Sequence, residues 1–231
     1  MTYSPYQNGG GCKDESAVAT DISKIAAMGF STIRIYATDC NQLQTVGDAA
    51  STHRLKMIVG IYIDNSGIDA SRPQIQALTS WGRWNLVSMV VVGNEAVFNG
   101  YTTASALAAY ISEVKSTIGG AFTGPYTTSE TMNTWQASNG VFCSAVDVLG
   151  SNIHPYFNAG TSADQAGQFV TSQLQILGGI CSGKQTYNLE TGWPHAGNAN
   201  GAAVPGISQQ QTALKGIMAA AGGNSAFFSF V

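Results

Sequence analysis

Charge is scarce in this chain of 231 residues: ten Lys and Arg stand against thirteen Asp and Glu, about 10% of the residues, where an average soluble protein carries roughly 25%. The surface must be built from neutral polar groups. A net charge of −3 leaves no cationic surplus to neutralise phosphates, which argues against nucleic acid as a partner and offers no basic patch to an anionic membrane. Long apolar runs are missing too. The longest, around Val87 to Val92, falls far short of the ~20 residues a membrane helix needs, so no membrane insertion is expected. Met1 is not followed by the apolar stretch of a signal peptide, and the chain reads as a soluble mature domain. The four cysteines contain no C-x-x-C pair, His53, His154 and His195 have no metal-ligand spacing, and there is no N-x-[ST] sequon. G-x-S-x-G and G-x-G-x-x-G are also absent, which removes the usual serine-hydrolase and dinucleotide signatures. Gly178 to Lys184 mimics a phosphate loop, but Gln185 stands where Ser or Thr is required, and its glycines read better as the end of the preceding helix. No metal and no organic cofactor are expected.

What is present is a repeated alternation. Short β-rich runs lie near Thr2 to Ser4, Thr32 to Ala37, Lys56 to Ile63, Met89 to Gly93, Pro125 to Ser129, Val148 to His154, Thr186 to Leu189 and Ala226 to Val231. Their starts recur every ~32 residues, the length of a βα unit. Amphipathic patterns fill the gaps: Asp14 to Met28 with Val18, Ile22 and Ile25 on one face, Ala104 to Ile118 with Leu107, Ile111 and Val114, and Ala163 to Leu177 with Phe169, Leu174 and Leu177. Continuous apolar strands such as Met89 to Val92 belong to parallel sheets buried on both faces, and eight of them can close into a (β/α)8 TIM barrel. The runner-up is an open doubly wound sheet. No boundary signal divides the chain, so residues 1 to 231 are expected to form one compact, monomeric catalytic barrel. No eighth helix is expected, because the chain stops at the eighth strand.

Two disulfides are the simplest use of the cysteines and point to an oxidising, extracellular compartment. Cys12 and Cys40 follow the first and second strands, on the C-terminal face of such a barrel, while Cys143 and Cys181 precede the sixth and seventh, on the opposite face. Pairing Cys12 with Cys40 and Cys143 with Cys181 keeps partners on one face.

Reactive groups in a (β/α)8 barrel sit at the C-terminal ends of strands. That rule selects Asp39, Asp64, Glu95, Glu130 and Glu190. Asp39 and Asp64 precede helices or turns and could simply cap them. Glu95, in Val92-Gly-Asn-Glu95, and Glu190, in Tyr187-Asn-Leu-Glu190, resist that explanation, because Glu is a poor N-cap and few cations are available to pair with a buried carboxylate. Carboxylates on the fourth and seventh strands would face each other across the barrel mouth, the arrangement glycoside hydrolysis needs.

Thr2-Tyr-Ser-Pro-Tyr6, Arg34-Ile-Tyr-Ala-Thr-Asp-Cys40, Val92-Gly-Asn-Glu95, Asn152-Ile-His-Pro-Tyr-Phe157 and Leu189-Glu-Thr-Gly-Trp-Pro194 resemble, in order and spacing, the β-1,3-glucanases and glucanosyltransferases of glycoside hydrolase family 17, particularly the fungal cell-wall branch. The resemblance implies a secreted or wall-bound retaining enzyme on β-1,3-glucan, with Glu95 as acid/base and Glu190 as nucleophile. A retaining pair stands ~5 to 5.5 Å apart. Asn94 would donate to the sugar 2-hydroxyl and Tyr156 to Glu190. Glu130 is grouped with the substrate contacts. Tyr36, Tyr62, Trp135, Tyr156, Phe157 and Trp193 follow strands on the same face and could offer rings to the apolar faces of sugars. Trp135 lies in the polar stretch from Met132 to Ser138 without helical apolar companions, which makes it the expected acceptor-side platform. Two other readings stay open: a glucan-binding wall protein without catalysis, and a (β/α)8 enzyme of phosphorylated metabolites.

Overall fold

Asp14 starts the first helix by accepting the Ala17 N–H on its side chain, and α1 (Glu15–Ala27) then buries Val18, Ile22 and Ile25 at the predicted spacing. Thr103 does the same for α5 (Ala104–Ile118), whose buried face is Leu107, Tyr110, Ile111, Val114 and Ile118. Between and after them come β1 (Thr32–Arg34), α2 (Gln42–Thr52), β2 (Lys56–Ile61), α3 (Gly67–Ser71), α4 (Pro73–Trp81), β3 (Val87–Asn94), β4 (Tyr126–Thr131), α6 (Met132–Ala137), β5 (Leu149–Asn152), α7 (Ala166–Ile180), β6 (Thr186–Thr191), α8 (Ile207–Ala221) and β7 (Ser225–Phe227). The computed structural model describes residues 1 to 230; the end of the eighth predicted strand, Val231, lies outside them.

The strands form one seven-stranded sheet in the order β1 to β7. A doubly wound sheet reverses its order at a switch point, so consecutive order rules out the open alternative. The first predicted strand is reduced to two parallel bridges, Thr2 to Arg34 and Tyr3 to Phe230, since Pro5 has no N–H to extend the ladder. Those bridges put Thr2 and Tyr3 between β1 and the chain beyond β7, and the sheet becomes a nearly closed barrel with alternating helices.

The chain packs as two compact units, one of residues 1 to 130, 141 to 147 and the end from Ser229, the other of residues 131 to 140 and 148 to 228. The core of the first is built on Met57, Val59 and Ile61 of β2 and Val90, Val91 and Val92 of β3, apolar residues that fill both faces of a buried parallel sheet. In the second, α7 buries Val170, Leu174 and Leu177, and α8 buries Ala213 and Ile217. α7 runs on through Gly178 and Gly179 to Ile180, past the end expected at Leu177. The packed stripe outweighs the ~1 kcal/mol each glycine costs a helix, and the chain turns instead at Gly183, φ +81°.

Cys12 and Cys40 are joined with Cα atoms 5.3 Å apart, 28 residues apart in sequence. Cys143 and Cys181 are also disulfide-bonded, and no cysteine is free. Closing a loop of that length stabilises the fold by roughly 3.5 kcal/mol on a chain-entropy model. The double variant Cys12→Ala/Cys40→Ala should therefore melt about 10 °C lower by calorimetry; an unchanged melting temperature would show that the bridge carries no stability. Among the described residues no helix is long and apolar enough to cross a membrane.

Candidate active site

At the end of β3 the backbone leaves regular geometry. The β3–β4 register shifts between Val91 and Asn94. Gly93 has φ +79°, and a Cβ there would press on Leu107, Ala96 and Ile63 at 3.3 to 3.4 Å. Glu95 itself is left-handed at φ +51°, a conformation side-chain-bearing residues avoid and one that clusters at functional sites. Its N–H donates to the Ser129 carbonyl at 2.7 Å, and its carbonyl accepts from Asn99 N and Nδ2 at 2.9 and 2.8 Å. The side chain is thus turned out of the strand at a half-buried position.

Asn94 is oriented by a residue to which the sequence assigned no site role. Arg34, 1% exposed, donates from a guanidinium nitrogen to Asn94 Oδ1 at 2.8 Å and stacks 4.5 Å from the centroid of Tyr36. With its oxygen turned to a buried cation, the Asn94 amide directs its Nδ2 donor end the other way. Tyr62 is 39% exposed, its backbone held by Gln74 on both sides at 3.0 and 2.7 Å. Asp64 makes the expected turn, accepting the Ser66 N–H at 2.8 Å. Asp39 takes the Tyr6 hydroxyl at 2.9 and 3.0 Å and Gln42 Nε2 at 2.8 Å, a side-chain cluster where a helix cap was expected.

Glu130 does not reach a substrate surface. It is fully buried, and its two oxygens accept the Val97 and Phe98 N–H groups at 2.8 and 3.2 Å. Burial raises its pKa to about 7, with the nearby Glu95 charge adding to the rise and the backbone donors opposing it. Because the native pKa lies above the ordinary value, the native state holds the extra proton. The stability this supplies is complete below about 4.5 and is lost as pH rises through about 7. The loss over that whole window is roughly 3 kcal/mol. Urea unfolding at pH 5 and pH 8 should show this decline in the wild type and less of it in Glu130→Gln; equal slopes would mean that Glu130 titrates normally.

In the second unit, Glu190 sits in β6 at 8% exposure. His154 Nε2 lies 3.5 Å from Glu190 Oε2. The segment that carries His154 is fixed by the fully buried Asn188, which accepts the Ile153 N–H at 2.9 Å and donates to its carbonyl at 3.2 Å. The β5–β6 register shifts between Ser151 and Asn152, and the β6–β7 register between Asn188 and Thr191. Gly192 is required, since a Cβ there would meet the Phe228 carbonyl at 2.8 Å. The His154 ring packs between two exposed aromatics, Phe157 at 5.5 Å and Phe228 at 5.9 Å, 75% and 52% exposed. Phe157 thus leaves most of its ring open to solvent.

The other aromatics of this unit depart from expectation. Trp135 is completely buried and donates its Nε1–H to the Gly150 carbonyl at 2.8 Å. Thr131 caps a short helix, α6, by accepting the Thr134 N–H, and this turns the indole inward, so Trp135 is core and offers no platform. Trp193 is 3% exposed, bonded to the Val204 carbonyl at 2.9 Å and edge-on to Tyr156 at 5.6 Å; it braces Tyr156 and shows little face. The Tyr156 hydroxyl donates to the Asn198 carbonyl instead of to Glu190. His154, Phe228 and Arg34 were missed as site residues, although Arg34 and His154 lie within the motifs that carry the resemblance.

Parallel strands in barrel order, with an irregular backbone at each strand-end carboxylate, define a class, and comparison with known proteins assigns it. The chain belongs to the BtgE/BtgC glycoside hydrolase domain family, whose model matches residues 1 to 231. Among curated relatives it is 51% identical over its whole length to a protein of Neosartorya fischeri and 50% identical to one of Aspergillus fumigatus, both named probable beta-glucosidase btgE. It spans about two-fifths of those relatives, 42% and 41% of their lengths. Among solved structures it resembles the glycoside hydrolase family 17 beta-1,3-glucanosyltransferase of Rhizomucor miehei, with a TM-score of 0.86 and 21% identity over 99% of this chain and 85% of that one. An active-site mutant of the same enzyme in complex with laminaritriose gives 0.87 over the same shares. The fold is that of a (β/α)8 TIM barrel.

Proposed function

We propose that residues 1 to 231 act as one catalytic domain, a retaining glycoside hydrolase and transglycosylase on β-1,3-glucan, secreted to the cell wall. Glu190 attacks the anomeric carbon while Glu95 protonates the leaving glycosidic oxygen. Water or a sugar hydroxyl then attacks the glycosyl enzyme as Glu95 takes the proton, and two inversions retain the configuration. Asn94 donates to the 2-hydroxyl, and Phe157 presents an apolar face to the glucan. Two carboxylates complete this chemistry without a metal or cofactor.

The observation that carries the reading is that each carboxylate ends a parallel strand at a local break in register, Glu95 after Gly93 and Glu190 before Gly192. The laminaritriose bound to the structural neighbour favours a β-1,3-linked substrate over a generic β-glucoside. The test is trapping: an activated 2-deoxy-2-fluoro-β-glucoside or laminaribioside should label the protein once, on the peptide that carries Glu190. A label on another residue, or none, overturns the mechanism and favours a wall protein that only binds glucan. With an unmodified laminari-oligosaccharide at millimolar concentration, mass spectrometry should find elongated products beside shorter ones, because a retaining intermediate accepts sugar as well as water. Shorter products alone would leave hydrolysis and remove transfer.

A further inference from the structure

The turn after Glu95 is held from inside the fold. One carboxyl, that of Glu130, grips two successive amides: Val97 N–H on Oε1 and Phe98 N–H on Oε2. The preceding residue of β4, Ser129, takes the N–H of Glu95 itself. Residues 129 and 130 therefore bracket Glu95 and the turn that follows it. Left-handed backbone at a residue with a Cβ persists only where its surroundings over-determine it, and these three bonds are such surroundings. A fully buried carboxyl is a costly way to fill space, which an apolar side chain of similar size fills without desolvating an acid. An apolar side chain cannot accept two N–H groups.

We propose that Glu130 is a positioning residue, whose carboxyl clamps the Val97–Phe98 turn and thereby sets the direction of the Glu95 carboxyl. The proposal rests on the reading of Glu95 as the general acid/base. Glu130 touches no substrate, being fully buried, so it acts only through Glu95. The rise in its pKa that Glu95 contributes is consistent with the two carboxyls being near neighbours.

A displaced acid/base harms only the steps in which it moves a proton. Glu130→Gln keeps the size of the side chain but only one acceptor oxygen, so the turn loosens at one of two amides. On laminari-oligosaccharides kcat should fall ~10- to 100-fold with KM little changed, as expected for a misplaced proton donor. Glycosylation by a 2,4-dinitrophenyl β-glucoside, whose leaving group departs without a proton, should change less than ~3-fold in the pre-steady-state burst. The same loss on both substrates, or no loss on either, overturns the proposal, since a merely structural residue has no reason to distinguish leaving groups. Glu95→Gln measured alongside separates the two ideas. If it fails to distinguish the substrates, the acid/base reading falls; if it distinguishes them and Glu130→Gln does not, only the positioning role falls. Should Glu130→Gln not fold, amide exchange in the wild type decides: protected Val97 and Phe98 amides support the clamp, and free exchange at both overturns it.

Discussion

Glu190→Gln should cost about four orders of magnitude or more in turnover of β-1,3-glucan oligosaccharides, the scale on which removal of a nucleophile acts. The amide keeps the shape of the side chain, so oligosaccharide binding measured by calorimetry should survive. In the truncated variant Glu190→Gly, azide should restore part of the activity, because a small anion can fill the space the carboxylate leaves. The product then identifies the role. A single displacement on a β-linked donor gives the α-glucosyl azide, which proton NMR distinguishes by its anomeric coupling. A β-azide from this variant would mean that some other group still forms a covalent intermediate, and the assignment of Glu190 would be withdrawn.

How far the sequence reached follows from what kind of signal each feature sends. Parallel strands are buried on both faces, so Met89 to Gly93 reads as a strand without knowledge of its neighbours, and α5 starts and ends at the predicted residues because Thr103 caps it locally and its stripe is regular. The strand-end carboxylates stood out because cations are few. Trp135 misled because its immediate neighbours are polar while the groups that bury it, Gly150 among them, lie farther along the chain. Tyr156 misled in the same way, its proton going to a carbonyl 42 residues later. Glu130 was found as an acid at a strand end, but that position does not say whether a carboxyl points to the groove or into the fold. Long-range side-chain partners such as His154 with Glu190 and Arg34 with Asn94 are invisible until the chain is folded.

Glu95→Gln should separate the two halves of the reaction in a way that Glu190→Gln cannot. With a natural glucan the leaving group is a sugar alkoxide that must be protonated as it departs, so loss of the donor should lower kcat by ~10²- to 10⁴-fold, the usual contribution of a general acid. With a 2,4-dinitrophenyl glycoside the first step needs no proton and should remain fast. The second step still needs a base to activate water, and so the glycosyl enzyme should accumulate: a burst of dinitrophenol close to one per protein, then a slow steady state. Azide needs no base. It should speed that steady state and, by attacking an intermediate already inverted once, yield the β-glucosyl azide, the opposite anomer from the Glu190 variant. Opposite anomers from the two variants, obtained with one reagent, would fix both roles at once. If Glu95→Gln instead loses the dinitrophenyl and natural substrates in equal proportion and shows no burst, Glu95 is not the acid/base, and the left-handed turn at the end of β3 must serve binding alone.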